Sequence, residues 1–488
     1  MVGRWLELLK TGPIIAGLLV VVAVAALQFA AIPGFDRLGL MVFDSYQKAA
    51  PRAYQDAGVR IIDIDEESVE RLGQWPWSRT EIARLTQRLS DAGAAAIAFD
   101  MVFSEPDRTS PGEIAARLPQ AEGNADLLRS LSGLPDNDDI LADSFALAPV
   151  VGGFFLLHED RGDPIELPTG MAVLGSPPSD QVEQYQGTVQ SLPKLQQAAS
   201  GLGSLSIVGD ADGILRRAPL VFFHKDKLLP SLSLEALRVA QQAGSILVKT
   251  SDGSGETAGA PGAIVNLRVG DFEVPTTAAG ELWMHFSEPA PQRTIPAWKF
   301  LSDAMSEEEI RAAVEGQIVF IGASATGLRD LISTPLNENE PGVTVHAQAA
   351  EQMILGEFLT RPDWAPGMEF FLILLLGGGL ALLLPGAGAM IGAAIGTVAT
   401  LAVAAGSWLA FDQLHYLLDP TWPVIALIFV YAVQTLLSFR QEEQQRAYIH
   451  TAFDRYLSPE MVRQIAANPE RLQLGGEERE MTVLFCDI

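Results

Sequence analysis

The sequence predicts an α/β domain carried on four membrane-spanning helices. Three observations predict it. Four long runs are almost free of charge. Between the first and second of these, strand-like runs ending in acidic residues alternate with helix-like runs. Basic residues stand before the first run and after the last. The chain has 488 residues, room for several domains. Its mean hydropathy of +0.20 is high for a soluble protein. The net charge of −27, from 33 basic and 60 acidic residues, argues against nucleic acid as a partner, because phosphate binding needs clustered Lys and Arg. Cys486 is the single cysteine, so neither an intrachain disulfide nor a four-cysteine zinc site can form.

Residues 1–13 form the N-terminus. Ile14–Ile32, "IIAGLLVVVAVAALQFAAI", carries no charge and has about the ~20 residues that cross a bilayer core. Arg4 and Lys10 precede it and favour a cytoplasmic N-terminus. A cleaved signal peptide is the alternative, but the apolar run exceeds the usual ~7–15-residue signal core, which favours an uncleaved anchor. Three further spans are expected at Met368–Leu384, Gly386–Phe411 and Trp422–Phe439, with "PGAGA" (Pro385–Ala389) as a tight turn. The loop Asp412–Pro420 has no Lys or Arg, whereas Arg440 and Arg446 follow the last span, which places residues 440–488 inside. With the N-terminus also inside, four spans put residues 36–366 outside.

Within that segment "GVRIIDIDEES" (Gly58–Ser68) reads as a buried strand ending in acid. A helix follows, with Ser78 and Glu81 spaced as a capping box, Ile82, Leu85 and Leu89 at helical intervals, and Gly93 as its stop. Ala94–Asp107 is a second strand, predicted parallel to the first. "DNDDILADSFALA" reads as a helix and "PVVGGFFLLHED" as a strand. "GDADGILRRAPLVFFHKDKLLPSLSLEALRVAQQ" reads as a hairpin with a "DADG" turn and then a helix. Thr250–Gly262 is a flexible loop, Gly316–Asp330 a strand running into a small-residue loop, and Val345–Leu359 a helix.

Ligands of open parallel sheets bind outside the carboxyl ends of the strands. The residues expected there or beside it are Asp63, Asp65, Trp77, Arg79, Asp100, Glu105, Asp107, Ser324, Asp330 and His346. Asp63 and Asp65 share a strand face; a paired-carboxylate metal site is one reading, and helix capping by Asp65 is favoured. Trp75 and Trp77 suit a packing corner more than a ligand wall. Arg79 suits an anion or neighbouring acids. His346 reads as structural.

The ordered phrases "VRIIDIDEESVERLGQWPWSRTEIARL", "GAAAIAFDMVFSEPD", "GDADGILRRAPLVF" and "IVFIGASATGLRDLISTPL…GVTVHAQAAEQMI" resemble the CHASE-type extracellular sensory domain, second subtype, over about residues 36–364. The resemblance implies an unnamed external ligand or protein stimulus, three spans after the sensor, and a cytoplasmic signalling output.

After the last span, residues 440–480 read as a polar signalling helix and linker. Ile449, Phe453 and Tyr456 are spaced as a short coiled-coil seam, with a single amphipathic helix as the alternative. Ser458-Pro459-Glu460 is a helix start. Residues 481–488, "MTVLFCDI", read as one buried strand. "FDRYLSPEMVRQI…LGGEEREMTVLFCDI" is similar to the entry into a class III nucleotide cyclase domain of α+β fold. By that resemblance Asp487 is a ligand of Mg²⁺ or Mn²⁺, Ile488 offers its backbone carbonyl to the same ion, and the substrate is ATP. A parallel homodimer in a bacterial inner membrane, in contact with membrane lipid, follows from it too. The rest of the catalytic domain is expected beyond Ile488, so these residues alone are expected to be inactive. A guanylate cyclase or protein kinase output, or a transporter or scaffold, are the alternatives. A kinase output would use His450, which lacks the acidic neighbour usual in phosphoacceptor helices. A transporter is disfavoured because no span has a charge in its interior.

Overall fold

The computed structural model describes residues 2–30, 36–118, 125–253, 260–328, 330–453, 482 and 484–486. The chain divides into two compact units. One comprises Leu40–Asp363 with Trp408–Leu418, and the other Met1–Gly39, Trp364–Ser407 and Asp419–Ile488.

The first unit is built on a parallel sheet. Its strands lie in the order Thr294–Pro296, Val59–Ile64, Ile318–Ala323, Ala96–Phe99 and Val150–Leu157. Gly201–Ser204 pairs parallel with the first half of Val150–Leu157, and Gly187–Val189 pairs antiparallel with its end. Register runs Val59↔Ile318 and Ile318↔Ala96. The sequence-predicted pairing of the first two strands is therefore corrected: Ile318–Ala323 lies between them. Both faces of this sheet are covered, which is why its strands are apolar throughout rather than alternating. Ile62, Ile64, Ile97, Phe99, Val319 and Ile321 pack on one face with Ile82, Leu85 and Leu89 of helix Arg79–Asp91. Val59, Ile61, Ala96, Ala98, Ile318 and Phe320 pack on the other with Val343, Val345, Ala349 and Met353 of helix Gly342–Leu355.

Several local expectations change. The second strand is only Ala96–Phe99. The last helix of this unit begins at Gly342, behind Pro341, and stops at Gly356, whose φ of +72° is a left-handed position that glycine occupies without strain. "DADG" makes a tight turn in which Gly213 donates to the Asp210 carbonyl, but the hairpin turns at Lys225 and Asp226, between Val221–His224 and Lys227–Pro230. Ser78 caps helix Arg79–Asp91, yet Glu81 pairs with Arg84 instead of closing a capping box. A full box is made by Ser306 and Glu309. The expected loop Thr250–Gly262 lies partly outside the described residues.

Among the described residues the second unit contains four helical stretches long and apolar enough to cross a membrane: Gly12–Phe29, Ala365–Ala387, Ala389–Leu414 and Thr421–Tyr448, the third reaching beyond this unit at its end. Helix Val2–Phe29 carries Pro13, whose carbonyl accepts from the Gln434 amide at 2.9 Å; the same nitrogen donates to the Ala381 carbonyl at 2.8 Å. Three helices thus share one buried amide. Gly17 permits it, since a Cβ there would lie 2.4 Å from Gln434 Nε2. The helix Thr421–Phe453 continues without a break beyond its apolar part. Ile449 and Phe453 are on its backbone. Tyr456, Asp487 and Ile488 lie outside the described residues.

Candidate functional site

The helices after Val59–Ile64 and Ala96–Phe99 pack on one face of the sheet, and the helix after Ile318–Ala323 packs on the other. Connections that leave neighbouring strands on opposite faces open a crevice at their carboxyl ends. Asp63 lies there and accepts from the Ser324 backbone N–H at 3.0 Å and hydroxyl at 2.6 Å. Burial pushes its carboxyl above the usual range, against the pull of these bonds.

Asp100 follows Phe99 on the side of helix Gly342–Leu355. Its Oδ1 lies 3.9 Å from His346 Nε2, and its side chain keeps 17% of its surface exposed. Burial, then the charge of Asp330, pushes the Asp100 carboxyl to about 7. Burial pushes the His346 imidazole down to about 4, opposed by a hydrogen bond to the Leu205 backbone. Among the described residues His346 Nε2 has no hydrogen-bond partner. The Asp330 carbonyl accepts from the first N–H of the same helix, that of Gly342, at 3.0 Å. The crevice therefore gathers Asp63, Ser324, Asp100, Asp330 and His346.

The other expected residues stand apart. Asp65 accepts from the Ser68 N–H at 2.8 Å and caps helix Glu66–Leu72, so it does not pair with Asp63 around a metal. Trp77 is buried, donates to the Gly73 carbonyl at 2.8 Å and packs edge-on against Trp75. Arg79 is buried, bonds Asp138 at 3.3 Å and the Glu105 carbonyl at 3.2 Å, and lies over the Phe103 ring. The Glu105 side chain itself is exposed. Asp107 accepts from the Arg79 N–H at 2.8 Å and the Asn137 amide at 2.9 Å. Burial raises the Asp107 carboxyl, but these bonds and those from Thr109 together hold it below the usual range. Asp138 and Asn137 were not singled out in the sequence, although "DNDD" at a helix start carried the signal.

Sequence reasoning also missed the polar face of helix Gly342–Leu355. Glu351 is fully buried and binds Arg293 at 2.6 Å and Arg52 at 3.2 Å. Gln348 accepts from the Ser287 N–H at 2.8 Å. Gln352 accepts from the His285 N–H at 2.9 Å and donates to the Trp283 carbonyl at 2.8 Å. A second buried cation, Arg216, meets Asp44, Asp210 and Asp212 at 2.7, 3.0 and 2.9 Å. One helix thus has its first turn in the crevice and its later turns bonded to the segment Trp283–Arg293. The visible signal was a Glu-Gln pair set between apolar residues in "AAEQMI".

The model of the CHASE2 domain matches residues 17–383. The chain belongs to the CHASE2 family. No curated protein and no solved structure matches it. The CHASE2 match runs wider than the expected 36–364, from within the first apolar helix into the second. CHASE2 is an extracellular sensor domain, and four apolar helices accompany it here. Among the described residues no group of three or more His, Cys, Asp or Glu is placed to hold a metal ion. The CHASE2 crevice instead offers a carboxyl near its titration point, a neutral imidazole and a helix start, groups that exchange a proton or hydrogen bonds.

Proposed function

We propose that this CHASE2 protein is the receptor part of a membrane adenylate cyclase, which converts ATP to cyclic AMP and diphosphate when an external signal reaches the α/β unit. The observation that carries this reading is the order of parts: a CHASE2 domain, apolar helices, one helix running unbroken from Thr421 to Phe453, and then a segment similar to the first strand of a class III cyclase. In the proposed orientation both ends of the chain are cytoplasmic and the α/β unit is outside a bacterial inner membrane.

Helix Gly342–Leu355 is the proposed lever. A change at Asp100 or His346 acts on its first turn, and Gln348, Glu351 and Gln352 pass the displacement on. Residues 356–363 lead directly from it to the second apolar helix. In the proposed parallel homodimer the last helices of two copies align two catalytic halves. Asp487 and the Ile488 carbonyl would hold Mg²⁺ or Mn²⁺, which binds few carboxylates and completes its shell with substrate phosphates. Such an ion would supply charge neutralisation at the triphosphate and activation of the ribose 3′-hydroxyl.

The test is cyclic AMP formation by the complete protein in membranes with Mg-ATP or Mn-ATP. Activity that is lost in Asp487→Ala, with the dimer still folded, is expected. No cyclic AMP from a folded wild-type dimer overturns the reading and returns the output to a guanylate cyclase or protein kinase.

A further inference from the structure

His346, near the start of helix Gly342–Leu355, keeps only 4% of its surface exposed, and among the described residues nothing bonds its Nε2. The bond to the Leu205 backbone is therefore made by the other ring nitrogen, Nδ1. That bond favours the protonated ring, so Nδ1 donates and the Leu205 carbonyl accepts. In the neutral ring the proton is on Nδ1, and Nε2 presents a lone pair without a donor.

The Asp100 carboxyl faces this lone pair. Among the described residues it too has no hydrogen-bond partner, and its Oδ1 lies 3.9 Å from Nε2. That is beyond the roughly 3.2 Å limit of a hydrogen bond, so neither group satisfies the other. One atom about 2.8 Å from each would satisfy both. A buried polar group without a partner is costly, so this pair is arranged for a third group.

The surroundings define that group. The strands beside Asp100, Ile318–Ala323 and Val150–Leu157, bring no titratable side chain. The titratable groups facing it are His346 on the helix and Asp330, exposed on the chain ahead of that helix. Asp63, the remaining carboxyl of the crevice, is taken by Ser324. Burial holds the imidazole neutral and favours the neutral acid at Asp100. The same burial penalises a cation or an anion placed between them. A neutral acid donates and a neutral Nε2 accepts; a hydroxyl answers both with one oxygen. Ile332 is half-buried beside Asp100: a Cβ on Gly342 would lie 3.7 Å from Ile332 Cδ1 and 3.8 Å from Asp100 Oδ2. It offers apolar surface to a carbon skeleton. The Asp100 side chain keeps 17% of its surface exposed, which leaves the pair open to the crevice.

We propose that the crevice binds a small uncharged alcohol, one hydroxyl of which donates to His346 Nε2 and accepts from the Asp100 carboxyl. This names the ligand class for the sensory reading of the same crevice and rests on that reading, not on the cyclase output. The bound hydroxyl ties the end of strand Ala96–Phe99 to helix Gly342–Leu355.

Saturation-transfer NMR of the full chain in nanodiscs, titrated with 1,2-propanediol against a blank of empty nanodiscs, tests the proposal. Saturable binding is expected in the wild type. It weakens by about threefold or more as pH rises from about 6 to about 8.5, because an ionised Asp100 and Nε2 compete for the single hydroxyl proton. The amide of Asp100→Asn donates at any pH, so this variant is expected to bind with one affinity across the range. 1,2-Dimethoxypropane, which has both oxygens but no O–H, is expected not to bind. Absence of saturable binding by the diol overturns the proposal, as does equal binding of the diether. So does a wild-type affinity that is flat with pH, or one that Asp100→Asn leaves equally pH-dependent. The wild-type measurements decide the matter even where the variant does not fold. Binding is read without any cyclic AMP measurement, so its failure is separate from failure of the cyclase reading.

Discussion

Asp100 and His346 lie 3.9 Å apart in the crevice, and each is shielded from the water that would stabilise its charged form. In the unfolded chain near pH 5 the aspartate is ionised and the histidine protonated; in the folded protein the proton sits on Asp100. The Asp100 carboxyl is raised from 3.8 to about 7, so its contribution to stability is present below about pH 4 and is lost as pH rises through 7. The His346 imidazole is lowered from 6.5 to about 4, so its contribution is present above pH 6.5 and is lost as pH falls through 4. The two slopes cancel between about pH 4 and 6.5. Each single variant exposes one of them. His346→Gln is expected to lose stability relative to wild type as pH rises across that window. Asp100→Asn is expected to lose it as pH falls. Each change amounts to roughly 3 kcal/mol at about 1.4 kcal/mol per pH unit. Denaturant melts at several pH values check this, and parallel profiles for both variants contradict it.

At the scale of elements, helix Gly342–Leu355 links the crevice to a buried ion cluster. Glu351→Gln leaves Arg52 and Arg293 facing a neutral amide in a buried site. A loss of about 3–5 kcal/mol is expected in unfolding measurements, the range for removing one partner of a buried ion pair. Gly322→Ala would place its Cβ 2.5 Å from Val343 Cβ, so the helix must move off the strand. A destabilisation of about 1–3 kcal/mol is expected by melting, as for other overpacked cores. The strands Val59–Ile64 and Ile318–Ala323 were legible in sequence because apolar runs bounded by acid or glycine suit a sheet buried on both faces. Their adjacency was not, because strand order depends on contacts between residues some 250 positions apart. The Ser78–Glu81 box does not form because Glu81 pairs with Arg84 and the Ser78 hydroxyl donates to the Asp107 carboxylate at 3.2 Å, a long-range partner that local spacing cannot reveal. Of the expected crevice residues, Asp63, Asp100, Ser324, Asp330 and His346 converge because strand ends place them. Arg79 and Asp107 turn instead toward Asn137 and Asp138, which belong to a later helix.

At the scale of the whole molecule, the four apolar stretches were legible because length and absence of charge suffice to mark them. Reporter fusions behind residues 10, 360 and 445 are expected to place the first and last inside and the second outside; any other pattern contradicts the orientation proposed from Arg4, Lys10, Arg440 and Arg446. In the proposed receptor the α/β unit governs an output across the membrane through helix Gly342–Leu355. The most direct test of this coupling is cyclic AMP formation by the complete protein carrying Gln348→Leu, with melting measured in parallel. This substitution removes the bond to Ser287 and keeps the Glu351 cluster. A folded protein whose output changes by about fivefold or more is expected, the low end of typical coupling between sites. A folded variant with wild-type output would contradict it.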